Sequence, residues 1–327
     1  MRTVVTGGAG FIGSHVVERL LADGEGVLVL DNLSTGQLEN LAHVRQEPRL
    51  AVEVVDVTDE RAVGRWVRPG DRVFHLAALA DIVPSIQQPL EYFRANVTGT
   101  AVVLEAARRG GASRFVYAAS SSCYGIPEIY PTPEEAPLQP QYPYAATKAL
   151  GEQLVLHWGQ VYKLPVISLR FFNVYGPRAR TSGAYGAVFG VFLAQKLAGK
   201  PFTVVGDGTQ RRDFVFVTDV ADAMVRAASA ECRGEILNVG SGSPQSINRL
   251  TELLGGEAVH VPKRPGEPDC TWADIRRIRE ILGWEPRVSL EEGVGVMLGA
   301  ITHWEGAPVW TPASIAEATK EWFACLK

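Results

Sequence analysis

The chain has 327 residues, 46% apolar and 21% charged, with a formal net charge of −4. That balance fits a globular protein with a sizeable core and excludes a disordered chain; it also provides no basic field to hold nucleic acid. No apolar run approaches the roughly 20 residues of a membrane span, and Met1-Arg2 leads straight into an apolar strand, with no room for a signal peptide.

Cys123, Cys232, Cys270 and Cys325 are scattered, without the close pairs of a zinc or redox site. They read as reduced thiols in a cytoplasmic protein with no metal.

Through the first half, short apolar runs alternate with amphipathic stretches of helical length. This pattern predicts parallel strands joined by crossover helices. Strands are expected near 3–6, 27–30, 51–55, 72–76, 114–119 and 166–171, and helices over 14–21, 90–108 and 142–161. The fold class is α/β, a Rossmann-type doubly wound parallel sheet occupying residues 1–171.

From about residue 172 the texture changes, with Pro/Gly connections at Tyr175-Gly176-Pro177, Gly206-Asp207-Gly208 and Arg264-Pro265-Gly266. Residues 172–327 are therefore expected to form mainly a smaller, substrate-binding α/β lobe. One segment, 213–233, reads strand then helix and is expected to return to the first sheet. The tail is helical: Thr311-Pro312 supplies a cap and a proline at the first helical position. Ile315, Thr319, Trp322 and Leu326 then recur at helical spacing.

Gly7, Gly10 and Gly13 lie between the first expected strand and the first helix. A diphosphate at that turn can approach backbone N–H groups without Cβ interference, and the helix N-terminus adds partial positive charge. Asp31 ends the second strand 18 residues after Gly13, where its carboxylate would bind an adenosine ribose and repel a 2′-phosphate. NAD is favoured over NADP. Asp56 and Val57, after the third strand, are placed to lie beside the adenine. Any one of these features is common in ordinary loops; their order is what distinguishes them.

Tyr144 and Lys148 stand four residues apart, on one face of a helix. An ammonium and a cationic nicotinamide beside the phenol would stabilise the phenolate, lowering its pKa from about 10 and making Tyr144 a general base. Ser120 ends the fifth strand at the sheet's carboxyl edge, where it would hydrogen-bond the reacting oxygen.

With these residues the chain resembles the extended short-chain dehydrogenase/reductases, and within them the nucleotide-sugar epimerases and dehydratases of the UDP-glucose 4-epimerase type. The matching strings run in order: Thr6 to Gly13, Asp31-Asn32-Leu33, His75 to Ala78, Asn96 to Thr100, Ser120 to Gly125, Tyr144 to Lys148, Arg170 to Pro177, Arg212-Asp213-Phe214 and Leu282-Gly283-Trp284. The resemblance implies a catalytic set of Ser120, Tyr144 and Lys148. It implies further NAD contacts from Phe11, Ile12, Asn32, Leu76, Ala77, Ala78, Asn96 and Phe171. Substrate contacts would come from Ser121, Ser122, Asn173 and Thr271, with Arg212 and Arg264 near the diphosphate.

The implied reaction is redox-neutral 4-epimerisation of a nucleotide sugar, with a UDP-hexose or UDP-N-acetylhexosamine expected, through a transient 4-keto sugar, in carbohydrate metabolism or polysaccharide biosynthesis. Related 4,6-dehydratases carry an Asp-Glu pair after the catalytic Ser/Thr, where this chain has Ser121-Ser122. Hydroxyls are poor substitutes for that acid and base. A one-residue slip would instead make Ser121 or Ser122 the catalytic serine.

Thr271 occupies a position that in 4-epimerases limits bulk at the sugar 2-position; threonine leaves room for an acetamido group. Homodimerisation through the 90–108 and 142–161 helices is the family expectation. The rival readings are a dehydratase or dehydrogenase that releases a keto sugar, a simple alcohol dehydrogenase, and a sensor that binds NAD and nucleotide sugars without turnover. The tail from about 306 lies outside the resemblance, with domain packing or subunit contact as its candidate roles.

Overall fold

The computed structural model describes residues 2–181 and 187–326; Met1, 182–186 and Lys327, all within the expected domain ranges, lie outside the described residues. In chain order the first half runs β1 (Arg2–Thr6), α1 (Phe11–Ala22), β2 (Gly26–Asp31), β3 (Leu50–Val54), α2 (Glu60–Gly64), β4 (Arg72–His75), α3 (Ile82–Gln87), α4 (Pro89–Phe93), α5 (Gly99–Gly110), β5 (Arg114–Ser120), α6 (Pro143–Tyr162) and β6 (Val166–Phe171). The second half runs β7 (Asn173–Tyr175), α7 (Val188–Leu197), β8 (Phe202–Val205), β9 (Arg211–Arg212), β10 (Phe214–Phe216), α8 (Val217–Ser229), β11 (Glu235–Val239), β12 (Gln245–Ser246), α9 (Ile247–Leu254), β13 (Ala258–Val261), α10 (Arg276–Leu282), α11 (Leu290–Gly299), α12 (Pro312–Ala318) and α13 (Lys320–Cys325).

Seven strands form one sheet in the order β3-β2-β1-β4-β5-β6-β11, and every pairing in it is parallel. Most of these strands are buried on both faces, which is why they read as continuous apolar runs rather than alternating ones. On one face α1 and α8 bring Val16, Val17, Leu20, Val220 and Met224 onto Val5, Val29 and Ile167. On the other, Val103, Leu104 and Val155 of α5 and α6 cover Val4, Leu28 and Phe115. Strand order reverses between β1 and β4, the point at which open α/β sheets leave a crevice beyond their carboxyl ends.

A second core fills the remaining lobe. Tyr175, Phe189, Phe192, Phe202, Phe214, Met297 and Trp304 meet there, with Tyr175 stacked on Phe189 at 4.4 Å between ring centres. The expected strand-then-helix segment divides between the two lobes. Its helix, α8, packs on α1, while its strand, β10, pairs with β7 in a separate two-stranded sheet. The strand that joins the large sheet is β11, beside β6.

Two expected helices are interrupted. Over 90–108 the chain forms α4, a π turn at Arg94–Thr98, and then α5. The wider turn brings Asn96 inward, a shift of register that apolar spacing does not reveal. In the tail, α12 and α13 part at Thr319, which is buried and donates its hydroxyl hydrogen bond to the Ile315 carbonyl at 2.7 Å.

Candidate active site

One cleft of about 890 Å³ runs from the carboxyl ends of the large sheet into the second lobe. That volume lies at the upper end of the range for ligand sites, as two ligands meeting end to end would need. At its first end, Gly7 follows β1 with φ +72°, and a Cβ there would sit 2.6 Å from the Ala77 nitrogen. Gly13 presses α1 against the turn so closely that a Cβ would come within 2.1 Å of the Gly7 carbonyl oxygen. The helix opens at Gly10 with no side-chain cap, so its first-turn N–H groups remain available to an anion.

Asp31 accepts hydrogen bonds from the Ala9 N–H at 3.0 Å and the Leu33 N–H at 2.8 Å. Burial raises its carboxyl pKa, and these two donors pull it back. Asp31 therefore fastens the glycine turn to β2 as well as facing the cleft. Asn32, Asp56 and Val57 line the same end, and Leu76, Ala77 and Ala78, just past the end of β4, continue it. A dinucleotide fits this donor set: an uncapped helix N-terminus, a backbone that admits no Cβ, and a carboxylate at the end of β2.

At the middle of the cleft, α6 places Tyr144 and Lys148 on the face turned to the sheet, opposite Ser120 at the end of β5. The Ser120 hydroxyl lies beside the Tyr144 phenol and favours its ionised form. It also shares a hydrogen bond of 2.8 Å with the Ser122 hydroxyl. Ser122 in turn lies beside Tyr142, whose ring is parallel to that of Tyr144, 6.5 Å away at 7°. Two Ser–Tyr pairs are thus linked side by side.

The lowering of the phenol pKa expected from an ammonium and a cationic nicotinamide together has an opposing influence in the protein itself. Burial dominates and pushes Tyr144 up to about 12, with only the neighbouring Ser120 hydroxyl opposing it. Lys148 lies 4.5 Å from the centre of the Tyr117 ring, and burial brings it down to about 8. Among the protein's own groups, desolvation therefore keeps the phenol protonated at neutral pH.

The second lobe closes the cleft with Asn173, Arg212, Arg264 and Thr271. Thr271 donates its hydroxyl to Asn173 Oδ1 at 2.7 Å and accepts the Asp213 N–H at 3.0 Å. The guanidinium of Arg212 donates to the Pro268 carbonyl at 2.9 Å, and burial lowers its pKa. Arg264 pairs with Glu267 at 3.1 Å. Beyond them Phe189, Phe192, Gln210 and Phe214 form an apolar end with one amide.

One expected cofactor contact, Asn96, is not brought to the cleft. Its side chain accepts the Leu79 N–H at 2.8 Å, donates to the Leu79 carbonyl at 2.9 Å and donates to Thr147 at 2.9 Å. It braces the wall from behind. Three wall features were not anticipated: Tyr142, the Asp81–Arg180 pair at 2.6 Å and Trp322. The Tyr142-Pro143-Tyr144 string held a signal for the first; Trp322 gave none beyond helical spacing.

Residues 3–240 match the NAD dependent epimerase/dehydratase family. The UDP-glucose 4-epimerase of Mycolicibacterium smegmatis is 40% identical over 303 residues, covering 90% of this chain and 96% of that one. A UDP-N-acetylglucosamine 4-epimerase from Methanobrevibacter ruminantium M1, solved with UDP-N-acetylmuramic acid, superposes with TM-score 0.86 at 32% identity over 91% of this chain and 98% of that one. A UDP-glucose 4-epimerase from Thermus thermophilus, solved with NAD, superposes with TM-score 0.82 at 36% identity over 94% of this chain and all of that one (100%).

Proposed function

From the premise that the chain belongs to the NAD dependent epimerase/dehydratase family, we propose that it is an NAD-dependent nucleotide-sugar 4-epimerase acting on a UDP-hexose or UDP-N-acetylhexosamine. The observation that carries this reading is the placement of the Ser120 hydroxyl beside the Tyr144 phenol, with Lys148 one turn further along α6, at the middle of the cleft. It puts a proton-transfer group between the glycine turn on one side and two arginines on the other. A simple alcohol dehydrogenase would have no use for the arginine end.

When bound at the glycine end, NAD supplies a hydride acceptor that later returns the hydride, and its cationic ring adds positive charge beside the phenol. Tyr144 Oη then takes the proton of the sugar 4-hydroxyl, and Ser120 holds the same oxygen by hydrogen bonding. Lys148, still mostly charged at pH 7 with its pKa near 8, favours the phenolate and anchors the adjoining ribose. Arg212 and Arg264 grip the diphosphate through charge-assisted hydrogen bonds, so the 4-keto sugar stays attached while it presents its other face. Tyr144 returns the proton, and the product is the 4-epimer.

Dehydration is disfavoured because residues 121 and 122 offer hydroxyls, and Ser122 is engaged with Ser120 and Tyr142. Asp81 and Glu267, two carboxylates of the cleft wall, are each paired with an arginine. Incubation with UDP-glucose, UDP-N-acetylglucosamine and their glucuronate and GDP counterparts, followed by NMR of the products, tests the reading. The expected result is an epimer with no net NADH; a keto sugar or accumulating NADH would instead support the keto-releasing reading. In the same assay Thr271→Tyr is expected to lower turnover of UDP-N-acetylglucosamine relative to UDP-glucose by about tenfold or more, the scale at which a filled pocket discriminates. An unchanged ratio rejects Thr271 as the gate.

The partner is a second copy of this chain, packed through α4, α5 and α6. Leu90 on α4 is 82% exposed, and Phe93 on α4 and Leu150, Val161 and Tyr162 on α6 are exposed apolar side chains too. Sedimentation at micromolar concentration is expected to give a dimer, and Leu90→Glu with Phe93→Glu a monomer. The four cysteines are all unpaired, as suits the cytoplasm. No helix among the described residues is long and apolar enough to cross a membrane.

A further inference from the structure

The family match ends at residue 240, yet the last helix reaches the cleft. On α13 the Trp322 side chain is turned inward and is 1% exposed, whereas its neighbour Phe323 is 39% exposed. The Trp322 indole N–H donates to the Pro265 carbonyl at 2.7 Å. The helix also packs on α3, which follows the wall segment from Leu76 to Asp81. α13 therefore spans from the nucleotide-binding sheet to the Arg264 loop of the second lobe.

The Trp322 ring makes two contacts that bear on substrate. The Arg264 guanidinium lies over it, 5.2 Å from the ring centre. Tyr142 packs against it at 6.1 Å and 51°, and Tyr142 stacks in turn on Tyr144. An aromatic face holds a guanidinium by its quadrupole without carrying an opposing charge. Glu267, by contrast, partly offsets the same cation, and a diphosphate would compete with it. The indole can therefore keep its hold on the guanidinium when an anion arrives.

We infer that α13 is the outer wall of the substrate end of the cleft and that Trp322 is a positioning residue that aims Arg264 at the diphosphate. This inference rests on the nucleotide-sugar reading above. The tail is then part of the binding apparatus, holding its arginine from outside the matched segment.

The test measures Kd for UDP and for NAD by calorimetry, and KM and kcat for the preferred nucleotide sugar. Trp322→Ala is expected to raise Kd for UDP and KM by on the order of tenfold, with Kd for NAD unchanged and kcat reduced less than KM rises. Trp322→Phe keeps an aromatic face and is expected to stay within a few fold of the parent, which separates positioning from a folding defect. In an Arg264→Ala background, Trp322→Ala should add little, because its effect runs through that guanidinium. Unchanged UDP affinity in Trp322→Ala, or an equal loss with and without Arg264, overturns the inference while leaving the epimerase reading intact. A parent protein that neither binds UDP nor converts nucleotide sugars overturns both.

Discussion

Tyr144→Phe is expected to lower kcat by about 10²–10⁴-fold, the range for loss of a positioned acid–base group, with little change in NAD affinity or stability. The phenylalanine ring keeps the stacking on Tyr142 at 6.5 Å and removes only the hydroxyl that meets Ser120. Ser120 is a hydroxyl with no base of its own, and Lys148 is turned to the Tyr117 ring. The phenol starts from an unfavourable position, pushed up to about 12 by burial. Its activation therefore depends on positive charge arriving from Lys148 and from the cofactor. Single-turnover rates with a pre-loaded nucleotide sugar isolate this step from binding. A Tyr144→Phe enzyme that matches its parent would assign the proton transfer elsewhere.

The parts legible in the sequence are those in which local geometry and chemistry coincide. Gly7, Gly10 and Gly13 announce a turn that tolerates no Cβ, and the contacts at Gly7 and Gly13 are of that kind. The four-residue spacing of Tyr144 and Lys148 puts both on the inner face of α6, because helical period alone decides which side a residue takes. Arg212 and Arg264 are legible only through resemblance, since an arginine in a loop carries no periodic signal. Both line the cleft. Asn96 exposes the limit of that route: a motif residue can serve the wall from behind, and here its amide is taken up by Leu79 and Thr147. The π turn that places it is hidden because the apolar residues on either side each keep helical spacing.

Trp322 was legible as helical and as nothing more. The spacing of Ile315, Thr319, Trp322 and Leu326 describes one face of a helix, but α12 and α13 separate at Thr319 and the two halves serve different neighbours. Ile315 joins the second core, while Trp322 meets Arg264 and Tyr142. Long-range contacts of this sort depend on where two distant loops come together, which local pattern does not encode. The phenol pKa is hard to read for a related reason: sequence places the ammonium near the phenol, but burial, the larger influence, is a property of the folded cleft.

Arg170→Met is expected to destabilise the protein by about 3–5 kcal/mol, the effect of stripping one partner from a buried ion pair. The side chains of Arg170 and Glu152 are 3% and 2% exposed, and they meet at 2.5 Å. Arg170 Nε also donates to the same carboxylate at 3.0 Å, and Ser168 adds a hydroxyl at 2.8 Å. The remaining guanidinium nitrogen, Nη1, donates to Tyr124 Oη and to the Glu134 carbonyl, both at 2.8 Å. One side chain thus ties β6 to α6 and to the 124–134 connection. Without it, Glu152 is left as a lone charge in the interior, one turn along α6 from Lys148, whose pKa it raises. The loss should therefore appear as a lower denaturant midpoint. Glu152→Leu with Arg170→Met removes both charges, and the double variant is expected to be more stable than either single one, because no uncompensated ion remains. Equilibrium unfolding of the four proteins measures the coupling. A double variant as unstable as the sum of the singles would mean that the pair acts through packing and not through charge.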